Sequence, residues 1–80
     1  HVESIALESM RLESLAHFAG ALRTCVALQR LSLRDNRLQS LPDDVVQAMA
    51  ALPLTLLNIS HNQIGWLPAS FGRLRSLHVL

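Results

Sequence analysis

Apolar side chains recur along this chain on a step that suits neither a helix nor a simple strand. Between Leu28 and Pro42 they stand at Leu28, Leu31, Leu33, Leu38 and Leu41, with Asn36 set among them at a fixed offset. The alternation through Leu31 and Leu33 is that of a half-buried strand, whose successive side chains face opposite ways, and the wider gaps that follow predict a corner. A shift of 26 residues finds the template downstream, as Leu54, Leu57, Ile59, Asn62, Ile64 and Leu67. The same shift upstream gives Val2, Ile5, Leu7, Met10, Leu12 and Leu15. A fourth copy begins at Leu77 and stops at Leu80. The chain therefore reads as one domain over residues 1–80, with repeats at about 2–27, 28–53 and 54–76 and a partial one at 77–80.

The stretches between these strand patterns predict return limbs. In the first, Phe18, Leu22 and either Cys25 or Val26 recur at spacings of three and four, which suits a short helix that Gly20 weakens. In the second, Asp43 and Asp44 are expected to cap free amides and meet the positive end of a helix carrying Val45, Met49 and Leu52 on one face. Pro53 closes it. The third is shorter, and its Phe71 and Leu74 predict a 3₁₀ turn or an extended limb. Leu41-Pro42 and Leu67-Pro68 mark the same corner in two repeats.

This pattern resembles the leucine-rich repeat family, whose consensus runs L-x-x-L-x-L-x-x-N/C-x-L. The resemblance implies an α/β fold, a solenoid wound as a curved right-handed superhelix. A parallel sheet would line its concave face, with short helices, 3₁₀ turns or irregular limbs on the convex face. It also implies an asparagine ladder at Asn36 and Asn62, each amide satisfying backbone groups of the neighbouring turn. Met10 takes that position in the first repeat, where it is expected to fill the space without donating.

Composition changes this picture in a few places. An 80-residue globule would have a thin core, but a solenoid buries its leucines between stacked units. The formal charge of +1 argues against bulk electrostatic binding to nucleic acid or membrane. No run of apolar residues is long enough for a membrane span. The single cysteine, Cys25, excludes an internal disulfide and suits an inert thiol on an apolar helix face, so a cytoplasmic location is expected over an extracellular one. Asn58-Ile59-Ser60 nevertheless matches the acceptor sequence for N-glycosylation. The array starts at Val2 with neither initiator methionine nor signal peptide, and Leu80 falls where a fourth strand would enter the core. Hence a piece of a longer array is expected, with uncapped ends prone to self-association.

Candidate chemistry is sparse. His1, His17, His61 and His78 do not fall at metal-ligand spacings, Ser60 and His61 point to opposite sides of a strand, and no glycine-rich phosphate loop exists. No catalytic, cofactor or metal residue is assigned, and the protein is read as a non-enzyme. The outward strand positions carry more. They form three columns: Ser4, Arg30, Leu56 and Val79; Ala6, Ser32 and Asn58; Glu8, Arg34 and Ser60. Glu8 and Arg34 are expected to pair across strands, and Trp66 shares a solvent-facing column with Ser14 and Ser40. The candidate partner-binding residues on the concave face are thus Glu8, Arg30, Ser32, Arg34, Leu56, Asn58, Ser60 and Trp66. The expected function, implied by the resemblance, is a protein–protein interaction module or scaffold that binds a protein ligand there. The alternative is a structural or docking segment of a larger kinase, GTPase or ubiquitin-ligase regulator, and recognition of an anionic ligand or nucleic acid by Arg30, Arg34 and Arg37 ranks third.

Overall fold

Leu31 is flanked by Arg30 and Ser32, and the three form a strand because the leucine can turn inward while its polar neighbours stay out. The same logic sets the other strands in the computed structural model, which describes residues 2–74 and 77–80. They are β1 (Ser4–Ala6), β2 (Arg30–Ser32), β3 (Leu56–Asn58) and β4 (His78–Val79). All pair in parallel, in the order β1-β2-β3-β4. Ile5, Leu31 and Leu57 stand in one inward column, and Ser4, Arg30 and Leu56 in the outward column beside it. His1 of the histidine set and the Arg75–Ser76 end of the third repeat lie outside the described residues.

Two helices and a 3₁₀ turn close the repeats. Helix α1 (Phe18–Thr24) packs on α2 (Asp43–Ala50), and α2 packs on the 3₁₀ turn (Ala69–Arg73), so the limbs stack in the same order as the strands. Between the two layers lies a core that includes Leu22, Leu28, Leu31, Leu33, Leu38, Leu41, Val45, Met49 and Leu57, all essentially inaccessible to water. The middle repeat dominates this set because it alone has a full neighbour on each side. For that reason α2 buries Val46 and Ala48 as well as the expected Val45 and Met49. In the first limb Cys25 packs against the core and its thiol bonds the Ala21 carbonyl, while Val26 is left exposed. Cys25 sits at the helix C-cap and is half-buried, so it is not enclosed on the helix face as expected.

Each corner after a strand is turned by a residue with positive φ. Ser9 (56°), Asp35 (59°) and His61 (57°) occupy one column, 26 residues apart, each directly before the asparagine position. Polar short side chains and histidine tolerate this left-handed region better than branched ones, which explains how the corner is built without glycine. At the next corner Pro42 (φ −60°) and Pro68 (φ −67°) stand as the residues immediately before α2 and the 3₁₀ turn. Proline holds the extended approach and gives up an N–H that the first turn would leave unpaired.

This placement corrects the expected role of Asp43. The N-cap position of α2 is Pro42, and both aspartates lie within the first turn, where negative charge meets the positive helix end. Asp44 satisfies one free amide there, its Oδ1 accepting from the Val45 N–H at 2.9 Å. Asp43 instead ties α2 to the 3₁₀ turn, accepting from the Ser70 hydroxyl and from the Gln47 amide at 2.6 Å. These bonds, Ser70 first and Gln47 second, with Arg73 nearby, hold its carboxyl below the ordinary aspartate pKa. A group depressed on folding contributes stability that is present above its unfolded pKa and is lost as pH falls through the lower folded value. Thermal unfolding between roughly pH 2 and 5 should therefore show an acid-side slope that Ser70→Ala reduces. An unchanged slope in that variant would mean the bond does not survive in solution.

The fourth strand departs from the template. The spacing of Leu54 to Leu77 placed Val79 in the outward column with Leu56, and Leu80 entering the core. The pairing is instead Leu56 with His78 and Leu57 with Val79. His78 N–H donates to the Thr55 carbonyl at 2.9 Å and Leu80 N–H to the Leu57 carbonyl at 2.8 Å, and Leu80 is 52% exposed. Register is pinned where one face of a strand is buried, and β4 has two residues, both exposed. A one-residue slip there costs little and moves Val79 to the other side.

Candidate functional site

The outward face of the sheet rests directly on the buried leucines. Leu31 and Leu57 anchor β2 and β3 from beneath, so Arg30, Ser32, Leu56 and Asn58 are carried above a core without freedom to rotate inward. Arg30 and Leu56 are register partners, as are Ser32 and Asn58. Arg30, Arg34 and Glu8 are exposed, whereas Ser32, Leu56, Asn58 and Ser60 are half-buried. The apolar pair expected between Leu56 and Val79 does not form, because His78 occupies that place.

Polar contacts across this face run differently from the expected charge pairing. The Glu8 carboxylate accepts from the Ser32 hydroxyl at 2.5 Å, so its cross-strand partner is Ser32 rather than Arg34. One column over, the Ser9 hydroxyl donates to Asp35 at 2.7 Å. A serine hydroxyl reaches a carboxylate on the next strand with little loss of side-chain freedom, whereas an exposed arginine must give up several rotamers for a screened contact. Asn58 folds back on its own repeat, its Oδ1 accepting from the Ser60 N–H at 3.0 Å and the Ser60 hydroxyl at 2.6 Å. The two polar residues of the glycosylation triplet are thus bonded to each other.

Beneath the corners the two asparagines bridge successive repeats. Asn36 is 7% exposed; its Nδ2 donates to the Leu7 carbonyl at 2.7 Å and the Leu33 carbonyl at 3.0 Å, and its Oδ1 accepts from Met10 N–H and Leu12 N–H. Asn62 repeats the arrangement one unit on, donating to Leu33 and Ile59 carbonyls and accepting from Leu38 N–H. Each amide therefore serves its own turn and the turn before it. Met10 does not fill the asparagine space: its side chain is 56% exposed, and the backbone of its turn is satisfied from the next repeat by Asn36. This is possible because the bridging bonds run backwards along the chain.

Trp66 stands apart from the rest of the candidate set. It lies between the corner and the 3₁₀ turn, off the strand face, and is 61% exposed. Together with Ile59, Asn62, Ile64 and Leu67 it lines a cavity of about 410 Å³. Unlike Arg30, Ser32, Leu56 and Asn58, Trp66 is not carried by a strand. The column shared with Ser14 and Ser40 belongs to the limb, which leaves the sheet plane at the corner.

A family model described as leucine rich repeat matches residues 26–80. The chain is 33% identical over 79 residues, 99% of its length, to the volume-regulated anion channel subunit LRRC8E of Homo sapiens. It is likewise 33% identical over 76 residues to the protein of that name from Mus musculus. In each case the chain spans 9% of the length of the curated relative. No solved structure matches it.

Proposed function

This chain belongs to the leucine-rich repeat family, and we propose that it is a protein-recognition module that binds a protein ligand on the concave sheet face. The observation that supports this reading most is the plane formed by Arg30, Ser32, Leu56 and Asn58, in register on β2 and β3 over leucines that water does not reach. A rigid face with varied chemistry suits recognition, since little ordering entropy is lost when a partner docks. Glu8, Arg34 and Ser60 extend that face, and no cofactor enters. A cytoplasmic setting belongs to the same proposal. Among the described residues no helix is long and apolar enough to cross a membrane.

A second reading is that the array is a docking segment inside a much larger protein. It is favoured by the 9% share of each relative that the chain spans, those relatives being named as channel subunits. The two readings share the same surface and differ in whether the ligand sits on another chain.

Binding kinetics test the proposal. Rim charges mainly govern encounter and desolvated apolar anchors mainly govern dissociation. Against a partner recovered with this chain as bait, Arg34→Glu should slow association and Leu56→Asp should speed dissociation. Arg23→Glu on α1 should change neither rate. Gln47 is unsuited as a convex-side control because its amide donates to Asp43. If Arg23→Glu abolishes binding while both sheet-face variants leave the rates untouched, the limbs are the functional surface.

A further inference from the structure

The sheet face carries its arginines along one strand. Arg30 and Arg34 lie on and just beyond β2, and Arg37 follows after the corner, all three exposed. The corresponding positions of the next repeat are Leu56, Ser60 and Gln63, with no charge among them. The two carboxylates that flank these arginines are each met by a hydroxyl, Glu8 by Ser32 and Asp35 by Ser9. The serines thereby relieve the acids without engaging the guanidinium groups. Beside them, a shallow cavity of about 260 Å³ is lined by Ser9, Arg11, Asp35, Asn36 and Arg37, so the basic line ends in a groove rather than on a flat edge.

We propose that the occupant of this face is an extended acidic protein segment lying along β2, with carboxylates four residues apart that meet Arg30 and Arg34. The inference rests on the concave-face reading above and adds the chemistry of the ligand. Strand residues four apart point to the same side and are separated by about 13 Å at ~3.3 Å per residue. An extended ligand has the same rise, so its side chains at positions i and i+4 reproduce the arginine spacing. Guanidinium groups take carboxylates through two parallel bonds, which fixes the ligand's place and the orientation of each carboxylate. A nucleic acid fits less well: Glu8 and Asp35 are interleaved with the arginines, the whole chain carries only +1, and Leu56 and Asn58 lie one strand away.

The test is a displayed library of random twelve-residue peptides selected on the immobilised chain, with single-stranded oligonucleotide as competitor. The expected outcome is enrichment of peptides with Asp or Glu at i and i+4. Their affinity should fall roughly tenfold in Arg30→Gln/Arg34→Gln, as two exposed ion pairs allow, and should not change in Arg23→Gln. Circular dichroism of each variant confirms that the fold is kept. Peptides without the acidic spacing that still lose binding in Leu56→Asp would overturn the acidic-ligand inference and leave the concave-face reading standing. Peptides unaffected by every sheet-face variant, or no enrichment at all, would overturn both. Displacement of the peptides by oligonucleotide, together with tight direct binding of that oligonucleotide, would assign the arginines to nucleic acid.

Discussion

Leu31→Ala is expected to remove about 2–5 kcal/mol of folding stability, the range for buried leucine truncations that leave a cavity behind. The leucine is 1% exposed, paired to Ile5 on one side and Leu57 on the other, and belongs to the one repeat whose two faces are both covered. No neighbour can collapse into the void without leaving its own ladder. For 80 residues a total stability of roughly 4–12 kcal/mol is typical, so the single change consumes a large share of it. Urea unfolding followed by circular dichroism measures this as a fall in midpoint at unchanged slope. Val26→Ala, at an exposed residue of similar chemistry, should stay within about 0.5 kcal/mol of the parent. Equal losses at the two sites would mean that the strands do not share a packed interior.

Asn36→Ala should cost nearly as much without touching the apolar core. It strips partners from the Leu7 carbonyl and from the N–H groups of Met10 and Leu12, at a site only 7% exposed, while the Leu33 carbonyl keeps the Asn62 amide. A buried group left without its partner loses about 1–3 kcal/mol, and the loss here spans two repeats, so a total of roughly 2–4 kcal/mol is expected. Asn36→Asp separates the bonding from the packing. At neutral pH the carboxylate faces two carbonyls it cannot donate to, which raises its folded pKa above the unfolded one. Acidification through that raised value supplies an O–H donor, so this variant should recover part of its loss as pH falls, opposite to the behaviour of Asp43. Met10→Ala, at the exposed equivalent position, should change stability by less than about 0.5 kcal/mol. A similar cost at Met10 and Asn36 would show that the bridging bonds do not hold the turns together.

The repeat was legible because its signals are columns. Leu31 and Leu57 follow from period-two burial, the short third limb left a 3₁₀ turn or an extended segment, of which the 3₁₀ turn forms at Ala69–Arg73, and Pro42 and Pro68 marked a shared corner just before the limbs begin. Other features carry weaker signals. The left-handed corner at Ser9, Asp35 and His61 went unread because no glycine announces it, yet the polar column directly before Met10, Asn36 and Asn62 was available in the spacing. The pairing of Glu8 with Ser32 was missed since charge complementarity favours Arg34 on paper, whereas in water a short hydroxyl competes well with a long guanidinium. The register of β4 could not be had from apolar pattern at all, because His78 and Val79 are both exposed and either choice places an apolar residue inward. Trp66 illustrates a further limit. A column names a position in the repeat, but the turn of the chain at the corner decides which face that position joins.

The ladder and the asparagine bonds join β1, β2 and β3 in one cooperative stack, and that stack is what holds the outward sheet face rigid. Residue-resolved amide hydrogen exchange tests it most directly. The amides of Leu7, Arg30, Leu33 and Leu56, which donate across strands, and those of Met10, Leu12 and Leu38, which donate to asparagine, should exchange with one common free energy close to that of global unfolding. In Asn36→Ala that protection should fall across both repeats together. If instead the amides of Phe18–Thr24 and Asp43–Ala50 stay protected while the strand amides exchange as in an unfolded chain, the face is not held by the stack.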